Sequence, residues 1–287
     1  MESTKRTIGI LTDSISDLPE EIAKQYGIEV IPVKLHIDDK TYLDKVDITD
    51  EQFFDILKNE HVHAKTSQPG PYDFQVIYER MLAKYEKVLS IHASSELSGT
   101  FQSAVMAREA LGGETAERVM LFDTMQASMG EGMMVIKAAE MLASGSGIHD
   151  VLTELERIAG IIKTRFVPDT LTYLQRGGRI GKASAFVGNI LNIKPLLGVD
   201  KVVYPVEKVR GGRNVVPKLL EQLRDSLKPS DSFVACILNL NMPEDSAKME
   251  SELKLDKRLK GILHAKVGAT IGCHVGPKVI GLIWYTL

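Results

Sequence analysis

Two cysteines in 287 residues, Cys236 and Cys273, leave this chain without a disulfide framework and fit a reducing compartment. An excess of one charge is missing too. With 35 basic against 38 acidic residues, the net charge of −3 gives no general attraction to nucleic acid or to an anionic membrane. Long hydrophobic runs are absent: the stretches 233–238 and 279–285 fall far short of the ~20 apolar residues that span a bilayer. Residues 1–6 lack the apolar segment of a signal peptide. The expectation is a cytoplasmic protein with no nucleic acid partner and no integral membrane association.

Nucleotide and metal motifs are equally scarce. Gly177-Gly178-Arg179-Ile180-Gly181-Lys182-Ala183 has the wrong first glycine spacing for a phosphate loop, and Ala183 stands where a hydroxyl is required. Gly130-Glu131-Gly132 starts like a dinucleotide fingerprint but lacks its third glycine. His61 and His63 read as a solvated loop, and no metal site is expected.

What the sequence does contain is an ordinary globular balance, 44% hydrophobic and 25% charged, at a length that accommodates two domains. In the first half, apolar strands and amphipathic helices alternate. Strands are expected at 7–12, 29–37, 88–93 and 119–123, and helices at 18–26, from Thr49, and from Pro71 to about Tyr85. Thr49-Asp50-Glu51-Gln52 has capping-box spacing, and Pro19 and Gly27 bracket the first helix. Such alternation implies a mostly parallel sheet flanked by helices. Past about Gly145 the pattern changes. A helix over 149–162 is followed by a strand at 164–167, a helical stretch over 183–193 and a hairpin across 196–209. A helix over 215–227, a strand at 233–238, a helix over 244–259 and two closing strands complete it. The reading is an α/β chain with an N-terminal domain over 1–160 and a mixed α/β C-terminal domain over 161–287.

Three short, distant stretches combine polar donors with residues that permit close backbone approach. They are Thr66-Ser67-Gln68-Pro69, Leu97-Ser98-Gly99-Thr100, and Gly272-Cys273-His274-Val275-Gly276-Pro277, the last read as an interruption of the final strand. Ser98 and Gly99 stand where a strand hands over to a helix, the usual place for ligands in open α/β sheets and one suited to an anion. Each stretch taken singly also reads as a local device. Ser98 caps a helix, Thr66 opens a turn, and His274 is a hydrogen-bonded core residue.

Taken together and in order, these stretches resemble the DegV family, whose members hold a single fatty acid. The resemblance also rests on Thr12-Asp13-Ser14 and on residues 174–181, LQRGGRIG, and it spans nearly the whole chain. It implies a DegV-like two-domain fold with an acyl chain in a tunnel between the domains. It implies that Thr66 and Ser98 bind the carboxylate, that the Gly99 backbone assists, and that His274 sits beside the head group. Palmitate or oleate would be such a ligand, with no cofactor and no catalytic residue. It further implies that Arg176 and Arg210, heading the two RGGR stretches, contact a separate fatty acid kinase. That kinase would phosphorylate the presented carboxylate to acyl-phosphate for phospholipid metabolism, so the protein would do no bond chemistry alone. Lys278 departs from the family's usual glycine after Gly276-Pro277.

Burying about fourteen methylenes at ~0.8 kcal/mol each gives roughly 11 kcal/mol of gross transfer energy, part of it lost to ordering and association. Phe186, Ile190, Ile193, Leu196, Met129, Met133 and Met134 are candidates for the lining, although plain core is the better reading of each taken singly. Two other readings compete. One is a lipid-sensing protein whose fatty acid is the signal. The other is a Ser98/His274 serine esterase with Asp13 or Asp123 orienting the histidine, although Ser98 lacks the Gly-x-Ser-x-Gly elbow.

Overall fold

The computed structural model describes residues 7–58, 62–186 and 193–287. Its first part runs β1 (Ile8–Asp13), α1 (Glu20–Tyr26), β2 (Glu29–Ile31), β3 (Lys34–Ile37), β4 (Lys40–Leu43), α2 (Asp50–Leu57) and β5 (Ala64–Ser67). It continues with α3 (Pro71–Leu82), β6 (Lys87–His92), α4 (Thr100–Leu111), the short α5 (Gly113–Glu117) and β7 (Val119–Asp123). Strands β2-β1-β6-β7 form a parallel sheet. Its apolar strands are buried on both faces because alternate side chains enter different cores. Leu11 and Val88 pack with Phe74 and Tyr78 of α3, whereas Ile10 and Leu89 join the larger core on the opposite face. The capping box at Thr49 forms as its spacing predicts.

One expected strand divides. The run 29–37 breaks at Pro32, which has no N–H for a ladder, and at Val33, whose N–H is taken by Ser14 Oγ at 3.1 Å. The second piece, β3, leaves the parallel sheet and pairs antiparallel with β4 and β5 in a separate three-stranded sheet. That detour places Thr66 of β5 opposite Leu35.

The chain then forms α6 (Met129–Ala143), α7 (Ile148–Ile161), β8 (Lys163–Pro168), α8 (Thr172–Arg176), β9 (Ile193–Asp200), β10 (Val202–Arg210) and α9 (Val215–Ser226). The last elements are β11 (Phe233–Leu240), α10 (Pro243–Leu253), β12 (Leu259–Lys266), α11 (Ala269–Val275) and β13 (Val279–Thr286). Six strands assemble in the order β10-β9-β8-β13-β11-β12, antiparallel throughout except for the β11–β12 pair. One face of this sheet carries α9 and α10 over a core containing Phe233, Leu282 and Trp284. The other face shares a core with the parallel sheet, and α6 lies in that shared core with nearly every residue of its first three turns buried. The expected hairpin across 196–209 is β9–β10. Of the expected helix over 183–193, the described part is a 3-10 turn over Gly181–Phe186, and Ile193 already belongs to β9.

The Gly272–Pro277 segment does not interrupt a strand. It closes helix α11, which stands between β12 and β13. Its glycine-rich, β-branched sequence gives little helix propensity, so tertiary bonds decide its state. Gly268 N–H donates to Asp17 Oδ1 at 2.9 Å and Ala269 N–H to Asp50 Oδ1 at 2.8 Å, while Thr270 Oγ1 donates to Asp44 Oδ2 at 2.5 Å. Three carboxylates from the first fifty residues thus satisfy the first turn of a helix near the end of the chain.

These caps make stability depend on pH. Burial raises the Asp17 carboxyl to about 7, against the nearby Lys45 charge and the Ser128 and Gly268 bonds. The folded state therefore holds this proton more tightly than the unfolded chain. The contribution is fully present below about 3.9, the unfolded value, and is lost as pH rises toward about 7. Asp17→Asn keeps an acceptor for Gly268 N–H without the buried charge. Its melting temperature is expected to fall less than that of the wild type between pH 5 and pH 8 in paired calorimetric scans. Asp44 and Glu131, also raised by burial, leave the variant part of the slope.

Candidate functional site

A cavity of about 910 Å³, part of it open to solvent, lies between the two large sheets and α11. Most of its wall is apolar, including Ile15, Val33, Ala93, Phe166, Leu238 and Val279. A mostly apolar lining with a few polar groups is typical of small-molecule sites. Polar groups gather where β5, the loop before α4, and α11 meet: Thr66, Gln68, Ser98, Arg179 and His274. The structure thus brings together three residues separated by up to 208 positions, and His274 Nε2 lies 2.8 Å from Thr66 Oγ1. Gly99 is not itself in the cavity wall. It starts α4 against the Gln68 side chain, and a Cβ at this position would lie 2.8 Å from Gln68 Nε2. A side chain here would require the flexible end of Gln68 to shift.

The hydrogen bonds set the polarity of the site. Burial, with the charge of Arg179 adding to it, lowers the His274 pKa to about 4, so the ring is neutral at pH 7. Its Nδ1 is buried against Gly177 and has no hydrogen-bond partner among the described residues. A buried N–H without an acceptor is rarer and costlier than a bare lone pair, which favours the tautomer with the proton on Nε2. In that tautomer His274 donates to Thr66 Oγ1, and the Thr66 proton is left to donate elsewhere. Ser98 Oγ accepts from Thr100 N–H at 3.3 Å and shares a 2.8 Å bond with Thr100 Oγ1. With the Thr100 hydroxyl donating, the Ser98 proton is also left over. Two hydroxyl donors at the end of an apolar cavity suit a head group that only accepts, and a carboxylate is one.

The esterase geometry does not form. His274 bonds Thr66 rather than Ser98, and neither proposed acid reaches it. Asp13 Oδ2 accepts from His92 Nδ1 at 2.8 Å, and Asp123 accepts backbone N–H groups of Ser95 and Met125. A Ser90–His92–Asp13 chain with triad connectivity does exist, with His92 Nε2 2.6 Å from Ser90 Oγ. All three side chains are completely buried in the parallel sheet, and none is in the cavity wall, so the chain reads as a satisfied core network.

Of the lining candidates, Phe186, Ile193, Leu196, Met129, Met133 and Met134 are absent from the wall, and Ile190 lies outside the described residues, as does His61 of the solvated-loop reading. Strand parity explains one miss: Leu196 enters the α9 core, whereas Val199 faces the cavity. Arg176 is exposed at a neighbouring cavity of about 680 Å³, with His63, Lys65 and Tyr173, and Arg210 is exposed at the end of β10. Lys278 is exposed and outside the wall, and its backbone carbonyl accepts from Asp169 N–H. Sequence reasoning missed Arg179, which lies in the wall with Thr66, Ser98 and His274.

A family model described as uncharacterised protein, DegV family, matches residues 7–287. The chain belongs to the DegV family. Protein DegV of Bacillus subtilis is 32% identical over 279 residues, covering 96% of this chain and 98% of that one. A DegV family protein from Thermus thermophilus, whose structure is described by its fatty acid binding, superposes with a TM-score of 0.91 at 35% identity. That alignment covers 98% of this chain and all of the other. The crystal structure of DegV from Bacillus subtilis, described as a fatty acid binding protein, gives a TM-score of 0.86 at 31% identity, with coverage of 98% and 100%. The mixed α/β architecture is that of the DegV family. Among the described residues, no helix is long and apolar enough to cross a membrane and no acidic, histidine or cysteine cluster could hold a metal.

Proposed function

We propose that this protein binds one long-chain fatty acid and presents its carboxylate to a partner fatty acid kinase. The observation that carries the first half is the cavity itself, an apolar chamber ending in the free donors of Thr66 and Ser98 with neutral His274 behind them. The Thermus and Bacillus relatives described as fatty acid binding support the same ligand class. The acyl chain gains transfer energy along the apolar wall, and the hydroxyls, together with the Gly99 backbone, offset the cost of desolvating the carboxylate. The second half rests on the exposed guanidinium groups of Arg176 and Arg210, which suit an acidic protein face. In this reading the protein is a carrier acting in the cytoplasm, and phosphoryl transfer is the kinase's chemistry.

Mass spectrometry on the purified protein, native and then denatured, tests the ligand. One fatty acid per chain is expected to leave on unfolding, its mass reporting the length that fits. A protein that carries none and takes up neither palmitate nor oleate would end the carrier reading.

A further inference from the structure

The hydroxyls of the cavity wall differ in what they offer a ligand. At the head-group end, Thr66 and Ser98 have protons left to donate. Ser67 Oγ is bonded to His36 Nε2 at 2.7 Å. The remaining three, Ser128, Thr164 and Thr270, have their protons committed to acceptors outside the wall. Ser128 Oγ donates to Asp17 Oδ2, and Thr270 Oγ1 donates to Asp44 Oδ2 at 2.5 Å. Thr164 Oγ1 donates to Gln126 Oε1 at 2.8 Å. The sense of that bond is fixed, because the Gln126 amide gives its Nε2 to Val199 O at 3.3 Å and so turns Oε1 to Thr164. Among the described residues, no donor reaches any of these three oxygens.

The three belong to one region, away from the head-group donors. Thr270 lies one turn, about 6 Å along the axis, before His274 on α11. Ser128 is bridged to the same helix by Asp17, which also accepts from Gly268 N–H at 2.9 Å. Thr164 abuts the turn of α6 that Ser128 opens: a Cβ on Gly130 would lie 2.8 Å from Thr164 Oγ1. Ser128 is 5% exposed and the other two 3%. Ser128 is also held at φ 54° and ψ −146°, a strained backbone for a residue with a side chain, with its N–H donating to Ile15 O at 3.0 Å.

We propose that Ser128, Thr164 and Thr270 form a second polar site that accepts a hydrogen bond from a hydroxyl carried on the acyl chain, so that the preferred ligand is a hydroxy fatty acid; this rests on the fatty acid reading above. The carboxylates of Asp17 and Asp44 behind two of these hydroxyls polarise them and make their oxygens better acceptors. A plain acyl chain has no proton to give them, and neither has a double bond. A ketone only accepts, so it would meet lone pairs with lone pairs. An ammonium group donates, but leaves water at the far larger cost of a charge.

The test measures the affinity of lipid-free protein for stearate, for hydroxystearates with the hydroxyl moved along the chain, and for the ketostearate matching the best of them. At pH 8 the Asp17 carboxyl, which burial raises to about 7, is largely ionised and takes the Ser128 proton, so the titrations are run there. In the wild type, one hydroxyl position is expected to bind about two- to tenfold tighter than stearate. Other positions should bind more weakly, because their hydroxyl is buried without a partner. The matching ketostearate should also bind more weakly than stearate. Thr164→Val and Ser128→Ala together should bring the ratio of hydroxystearate to stearate affinity below one, whereas Thr164→Ser should retain it. If every hydroxyl position binds more weakly than stearate, or the ketone does as well as the hydroxyl, the inference is wrong and the fatty acid reading stands. An unchanged ratio in the double variant overturns it equally. If the double variant does not fold, the wild-type comparison of hydroxyl with ketone decides alone. A wild type that binds neither stearate nor any hydroxystearate removes both.

Discussion

Replacing Thr66 and Ser98 together by alanine is expected to weaken fatty acid binding by about 2–5 kcal/mol, the range for losing two charge-assisted hydrogen bonds. At 1.4 kcal/mol per decade that is a loss of more than tenfold and up to about a thousandfold or more. The effect is large because each hydroxyl already accepts a hydrogen bond, Thr66 from His274 and Ser98 from Thr100 N–H, leaving its proton for the ligand. Alanine removes the donor from a mostly apolar wall. Titration with a fluorescent fatty acid measures the change, and Thr66→Ser serves as the control that keeps the donor. Unchanged affinity in the double variant would remove both residues from the site. Ser98→Ala also loses the bond to Thr100 N–H, so a melting curve should accompany the binding data.

Alanine at both Arg176 and Arg210 is expected to abolish phosphorylation of the bound fatty acid by the kinase, with binding of the fatty acid itself retained. Both side chains are exposed on separate elements, α8 and β10, and neither lies in the wall of the apolar cavity. Their removal takes away charges a partner would meet first, slowing encounter and loosening the complex. The comparison that decides is phosphoryl transfer against fatty acid affinity on the same protein sample. Intact transfer would leave the presentation mechanism without a docking surface and bring forward the alternative of a lipid sensor.

How much of this was legible in the sequence depends on the range of the forces involved. β1, β6 and β7 were legible because strands covered on both faces are largely apolar, and α2 because its capping box is a contact between neighbours. Thr66, Ser98 and His274 were legible only as a set of ordered motifs resembling one family, since each alone reads as a cap, a turn or a core residue. Helix α11 was not legible, because its first turn is satisfied by Asp17, Asp44 and Asp50, more than two hundred residues away. The break after Ile31 needed the Ser14 hydroxyl as well as Pro32. Arg179 differs from Arg176 only in direction, inward against outward, and four letters of sequence do not encode that. The lining was not legible for a similar reason: in β9, a shift of one residue separates the cavity face from the α9 core.

The dependence of α11 on those three carboxylates has a consequence during synthesis. The N-terminal acids emerge from the ribosome first, and the parallel sheet, complete by Asp123, has all its strands long before the chain ends. Until residues 268–275 follow, the carboxylates at 17 and 50 lack the N–H groups of Gly268 and Ala269, the one at 44 lacks the Thr270 hydroxyl, and Thr66 has no imidazole behind it. A nascent chain therefore lacks one wall of the chamber until α11 forms. The head-group end of the chamber comes into being only when the first and last parts of the polypeptide meet.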